Sequence, residues 1–234
     1  MADVIWENRL RFSKTGRMKY ISHLDLLQCI QRTVCRASLP VAYYGGFHPQ
    51  MQTLFAATLP LGFQSVYEIL QLKLTEALPY AMIQERLNDV LPDGIRIETV
   101  GAPQCAFSSL TSGDYIIQLK SAELKQLQRD LEVLLAQSEL IVEKSSKKGL
   151  KQVDIRPGMI LLEERVTANF FCLQMNFPVG NKTTNPMLLL NLLKSKSETR
   201  CEIVDVCRIA LWDEKKKNFF EKTLAFFLEM WYDK

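Results

Sequence analysis

His23 stands in the run Tyr20-Ile-Ser-His-Leu-Asp25, between a phenol, a hydroxyl and a carboxylate. Ser22 is a residue type that N-caps helices, and Asp25 three places on predicts a capping-box-like pair with the Ser22 amide. His23 then falls in the first helical turn, where the dipole favours a neutral imidazole. With Tyr20 beside it, it is a candidate general base for metal-independent RNA cleavage. The plainer reading is a structural histidine bonded to neighbouring backbone. His48, in Gly46-Phe-His-Pro49, can join it only through the fold.

A second group is basic: Arg9, Arg11, Lys14, Arg17, Lys19, Arg32 and Arg36. Strand alternation turns Arg9 and Arg11 to one face and Leu10 and Phe12 to the other, with Tyr67 and Lys73 predicted on the arginine side of a neighbouring strand. Basic side chains interleaved with an aromatic suit single-stranded RNA, through phosphate contact and base stacking. Arg9, Arg11, Arg17, Arg32, Arg36 and His48 are therefore the candidate RNA- or anion-binding residues. The competing reading is a solvated charged face, and no RNP1-type sequence marks an RRM.

A third group is Val153-Asp-Ile-Arg-Pro157. Asp154 and Arg156 are i, i+2 on a predicted strand, so they share a face and form either a ligand clamp or a structural ion pair. Lys147, Lys148 and Lys151 lie just upstream and can extend an anion site. The six cysteines, Cys29, Cys35, Cys105, Cys172, Cys201 and Cys207, follow no metal-ligand or iron–sulfur spacing. They read as reduced, packed thiols. No Walker loop, dinucleotide fingerprint, zincin motif or nucleophile elbow occurs. No metal or cofactor is expected.

Positioning these groups falls to an ordinary globular chain: 234 residues, 47% hydrophobic, 24% charged, net charge +3. The N-terminus lacks the pattern of an export signal and no apolar run approaches a bilayer span, so a cytoplasmic protein without membrane contact is expected. Alternation around Leu10 and Phe12 predicts a strand, and Leu27, Ile30, Val34 and Ala37 a helix ending at Leu39-Pro40. Val41–Tyr44, Leu54–Leu59 and Val66–Leu74 read as extended, a helix opens at Pro79, and Ile95–Val100 closes as a strand. After a linker at Ala102–Ser112 the order repeats, with leucine-rich helices after Ser121 and at Asn185-Pro186. One extra strand or a bent hairpin must be absorbed between residues 151 and 176. The prediction is α+β: two tandem ferredoxin-like (βαββαβ) domains with antiparallel sheets. They span residues 1–104 and 113–212, with a helical tail at 213–234.

Four segments together carry a family resemblance: Arg9-Leu-Arg-Phe-Ser-Lys-Thr-Gly-Arg17, Tyr20-Ile-Ser-His-Leu-Asp25, Gly46-Phe-His-Pro49 and Leu59-Pro-Leu-Gly62. They resemble the radical-SAM-linked bacterial family of unknown function, and Val153–Pro157 is similar to a further segment of it. The resemblance implies a radical-SAM enzyme as partner and implies no activity of its own. The first expectation is therefore a non-catalytic accessory protein that presents an RNA substrate to that enzyme. The alternatives are an endoribonuclease using His23, by likeness of layout to CRISPR repeat-processing enzymes, and a small-molecule binder at the domain interface around Asp154 and Arg156.

Overall fold

The computed structural model describes residues 4–146, 149–215 and 217. They form a mixed α+β structure with four α-helices and mostly antiparallel β-sheet. Two compact units are present. The first runs to Leu110 and takes in the end of the last strand from Leu211; the second runs from Thr111 to Ala210. No helix among the described residues is long and apolar enough to cross a membrane.

In the first unit β1 (Trp6–Lys14) leads through a 3₁₀ turn (Gly16–Tyr20) into α1 (His23–Arg36). Then come the short strands β2 (Tyr43–Tyr44), β3 (Gln50–Met51) and β4 (Thr53–Phe55), the long β5 (Gln64–Leu74), α2 (Tyr80–Asn88) and β6 (Ile95–Gly101). The sheet order is β4-β5-β1-β6, with every neighbouring pair antiparallel. β2 and β3 form a separate small hairpin that pairs Tyr43 with Met51 and Tyr44 with Gln50.

Period explains the core. Leu10 and Phe12 on β1 and Leu70, Leu72 and Leu74 on β5 share one face and pack with Leu26, Ile30 and Val34 of α1 and Ile83 and Leu87 of α2. Each such side chain contributes about 1.5–3 kcal/mol on burial. Ser22 caps α1 as predicted, accepting from the Asp25 amide at 3.1 Å. The Asp25 carboxylate differs from the prediction: it takes the Ser22 hydroxyl at 2.7 Å rather than the Ser22 amide. The Thr15 amide donates to the Gly94 carbonyl at 2.8 Å, tying the β1–α1 turn to the turn before β6. Gly94 sits at φ 89°, where a Cβ would lie 2.7 Å from the Thr15 oxygen.

The second unit holds β7 (Leu110–Ser121), α3 (Leu124–Leu135), β8 (Ile141–Ser146), β9 (Gly149–Asp154), β10 (Ile160–Val166), β11 (Phe171–Pro178), α4 (Pro186–Lys196) and β12 (Cys201–Asp213). Its strand order is β10-β11-β7-β12. Leu127, Leu131 and Leu134 of α3 and Leu189, Leu190 and Leu193 of α4 are buried. The extra strands between the two helices form a β8–β9 ribbon apart from the main sheet. Asn185 caps α4 by accepting from the Met187 amide, with Pro186 in the first turn. The α3 cap is Glu123 rather than Ser121, whose hydroxyl accepts the Glu123 amide at 3.2 Å. The predicted helical tail lies, from residue 218, outside the described residues.

Candidate functional site

The exposed face of α1 and the β2–β3 hairpin beside it make the strongest candidate site, all within the first unit. The apolar stripe Leu26, Ile30 and Val34 is buried, which leaves Gln28, Arg32 and Arg36 outward. Arg32 and Arg36 are one helical turn apart and both exposed. Arg36 is steadied by its Nη2, which donates to the Val90 carbonyl at 3.0 Å and to the Thr33 hydroxyl at 3.3 Å. Arg32 makes no ion pair among the described residues.

Two depressions meet at these arginines. One, of about 430 Å³, lies between Asp25, Gln28, Arg32, Arg36 and the Val90–Pro92 turn. The other, of about 500 Å³, is bounded by Gln31, Arg32 and Arg36 on the helix and by Tyr43, Pro49 and Gln50 on the hairpin. Tyr43 is 48% exposed, Tyr44 57% and Phe47 95%. Phe47 meets the His48 ring edge-on at 5.1 Å. Desolvation, then the charge and hydrogen bond of Cys35, push the Tyr43 hydroxyl pKa up, so the phenol remains a neutral donor at ordinary pH. The surface therefore offers guanidinium groups for phosphates and accessible aromatic rings for bases.

Arg9 and Arg11 do point away from the helices, as alternation requires, yet the face they occupy is not an open basic sheet. Arg9 is 6% exposed: its guanidinium lies 3.7 Å from the Phe107 ring centroid, and Nη2 donates to the Cys105 carbonyl at 3.1 Å. Burial pushes its pKa down, and Nε and Nη1 have no hydrogen-bond partner among the described residues. Arg11 sits 5.5 Å over the Tyr67 ring and donates to Thr99 Oγ1 at 3.4 Å. The aromatic expected to stack a base is thus buried and stacks an arginine instead. Lys73 pairs with Glu7 at 2.6 Å.

The His23 neighbourhood is a packed one. The ring is half-buried, edge-on to Phe55 at 5.1 Å, and Phe55 in turn meets Phe12 at 5.9 Å. Tyr20 is exposed beneath the Lys19 ammonium, 5.3 Å from its ring. Arg17 is exposed in the same 3₁₀ turn. Lys14, one of the basic group, ends β1 at 1% exposure, and its Nζ donates to the Ile21 carbonyl at 3.2 Å. Glu68, opposite Phe12 in the register, is likewise 1% exposed. The signal for Glu68 was in the sequence: a lone carboxylate inside the apolar run Val66–Leu74.

In the second unit Asp154 and Arg156 organise backbone. Asp154 Oδ1 accepts from the Leu140 and Arg156 amides at 2.8 and 3.0 Å. Arg156 donates from Nε to the Leu135 carbonyl, ending α3, and from Nη1 to the Met159 carbonyl, at 3.1 and 3.0 Å. Arg156 lies past the end of β9 rather than on the strand, and among the described residues no Asp154–Arg156 ion pair forms; each side chain holds backbone instead. Among the described residues no group of three or more His, Cys, Asp or Glu is placed to hold a metal.

Residues 8–198 match the model of a family described as an uncharacterised protein conserved in bacteria, DUF2344. No curated protein matches the chain. Among solved structures, a chain in the crystal structure of a Cbf5-Nop10-Gar1 complex is similar at 10% identity and a TM-score of 0.48, over 88% of this chain and 50% of that one. This chain therefore spans about half the length of that protein. An unknown protein from Galdieria sulphuraria is similar at 12% identity and a TM-score of 0.26, over 86% of this chain and 98% of that one.

Proposed function

The chain belongs to this uncharacterised family of proteins conserved in bacteria, and we propose that it is a non-catalytic accessory protein that holds RNA for a radical-SAM enzyme. The observation that carries the RNA half is the depression of about 500 Å³ lined by Arg32 and Arg36 of α1 and by Tyr43 of the hairpin. Arginine forks match phosphate oxygens, and exposed rings beside them accept unstacked bases without regard to sequence. The radical-SAM half rests on the motif resemblance from Arg9 to Gly62. Most of those motif residues build the β1–α1 junction and the hairpin that frames the depression.

In this reading each unit is a ferredoxin-like domain. The orders β4-β5-β1-β6 and β10-β11-β7-β12 support it, since each is the split-βαβ arrangement once the β8–β9 ribbon is set aside as an insertion. Chemistry is assigned to the partner, while this chain supplies position and charge.

The experiment is capture of the intact protein with its radical-SAM partner, followed by recovery of bound RNA. Arg32→Ala/Arg36→Ala should retain the enzyme and release the RNA. Recovery of neither from the parent protein would refute the proposal.

A further inference from the structure

The β8–β9 ribbon carries a feature that its own stability does not require. Its register sets Val142 opposite Val153, Glu143 opposite Gln152, Lys144 opposite Lys151 and Ser145 opposite Leu150. Alternation puts Val142, Val153, Lys144 and Lys151 on one face. The valines are half-buried at the base, while both lysines are exposed further out. Directly opposed side chains in an antiparallel pair have Cβ atoms about 4.5–5.5 Å apart, and like charges there are destabilising. A two-stranded ribbon is marginal to begin with. Neither lysine makes an ion pair among the described residues to offset the repulsion.

We propose that this face is a second RNA contact, in which the Lys144 and Lys151 ammonium groups close on backbone phosphate. It rests on the RNA reading above and extends it to the second unit. Charge selects the occupant: two adjacent cations on an arm are matched by a polyanion. The form of the face selects between polyanions. Protein partners are held chiefly by buried apolar and aromatic anchors, whereas on this face the valines lie at the base with the lysine pair beyond them, and the exposed Ile141 and Leu150 belong to the other face of the ribbon. Phosphate contact needs nothing more and carries no sequence information.

The test uses the full chain and a labelled single-stranded RNA. Lys144→Glu sets unlike charges opposite one another, so hydrogen exchange in the ribbon should slow while RNA affinity falls roughly tenfold at low salt. Lys144→Gln/Lys151→Gln should leave the fold unchanged and reduce the log–log salt slope by about 1.4, two single-strand contacts. That opposition between ribbon stability and binding separates a contact residue from a merely structural one. If the parent binds RNA and both variants bind it equally well, the ribbon contact is overturned and the α1 reading stands. A parent that binds no RNA overturns both. Binding of polyglutamate that the variants lose, with RNA binding unaffected, would assign the ribbon to an acidic protein and overturn the RNA contact.

Discussion

His23 and Arg36 are the first and last residues of the same helix, α1. At 1.5 Å rise per residue they stand about 20 Å apart along its axis. A histidine that cleaved RNA would need phosphate-binding groups beside the ring. The arginines that line open surface on α1 lie towards its other end, and the His23 ring packs on Phe55. His23→Ala should therefore lower stability by about 0.5–1.5 kcal/mol, the range of an edge-on aromatic pair, and leave RNA affinity unchanged. RNA cleavage by the parent that disappears in this variant, with the fold intact, would establish the nuclease instead.

Arg9 tests the difference between a buried and a solvated cation. Arg9→Ala removes the stack on Phe107 and should cost about 2 kcal/mol in urea unfolding. Arg9→Met keeps the volume without a charge to desolvate, so it should stay within about 1.5 kcal/mol of the parent. Neither should alter the salt slope of RNA binding. A slope that drops in both would return Arg9 to the phosphate contacts.

Gly94→Ala places a methyl group against the Thr15 carbonyl at a left-handed φ. A loss of about 1–2 kcal/mol is expected, with the β1–α1 turn exchanging amide hydrogens faster. An unchanged midpoint would mean that this turn tie is dispensable.

Burial raises the pKa of the Cys105, Cys172 and Cys201 thiols above that of a free thiol. In the unfolded chain these thiols ionise near the ordinary value of about 8.5, while the folded state still holds their protons. Folding stability should be complete below that pH and fall as pH rises towards the folded pKa values. A denaturation series across the alkaline range, with Cys172→Ala and Cys201→Ala as comparisons, should show a shallower decline in the variants. An identical decline would locate the alkaline sensitivity elsewhere.

Legibility followed period. The alternation of Leu10 and Phe12 and the Asn185-Pro186 cap are local signals, and the structure forms both as read; the α1 stripe keeps Ile30, Val34 and Ala37 but buries Leu26 where Leu27 was expected. The exposed status of Arg9 was not local. Alternation assigned its face, but only the later segment carrying Phe107 decides whether that face meets water. Arg32 and Arg36 were readable as a polar stripe. Their depression was not, because Tyr43 and Pro49 reach it through a hairpin with two paired residues in each strand. An extra strand or bent hairpin was legible between residues 151 and 176, but the β8–β9 register, and hence the Lys144–Lys151 opposition, is set by pairing rather than composition.

The claim that the α1 arginines hold RNA is tested most directly by a salt titration of single-stranded RNA binding, comparing the parent with Arg32→Ala/Arg36→Ala. The account predicts that the parent binds, that its affinity falls with salt, and that the double variant loses about 1.4 from the log–log slope. The variant should remain folded, its stability lowered by no more than about 1.5 kcal/mol for the lost Arg36–Val90 hydrogen bond. Unchanged affinity and slope in the variant, or no binding by the parent, would contradict it.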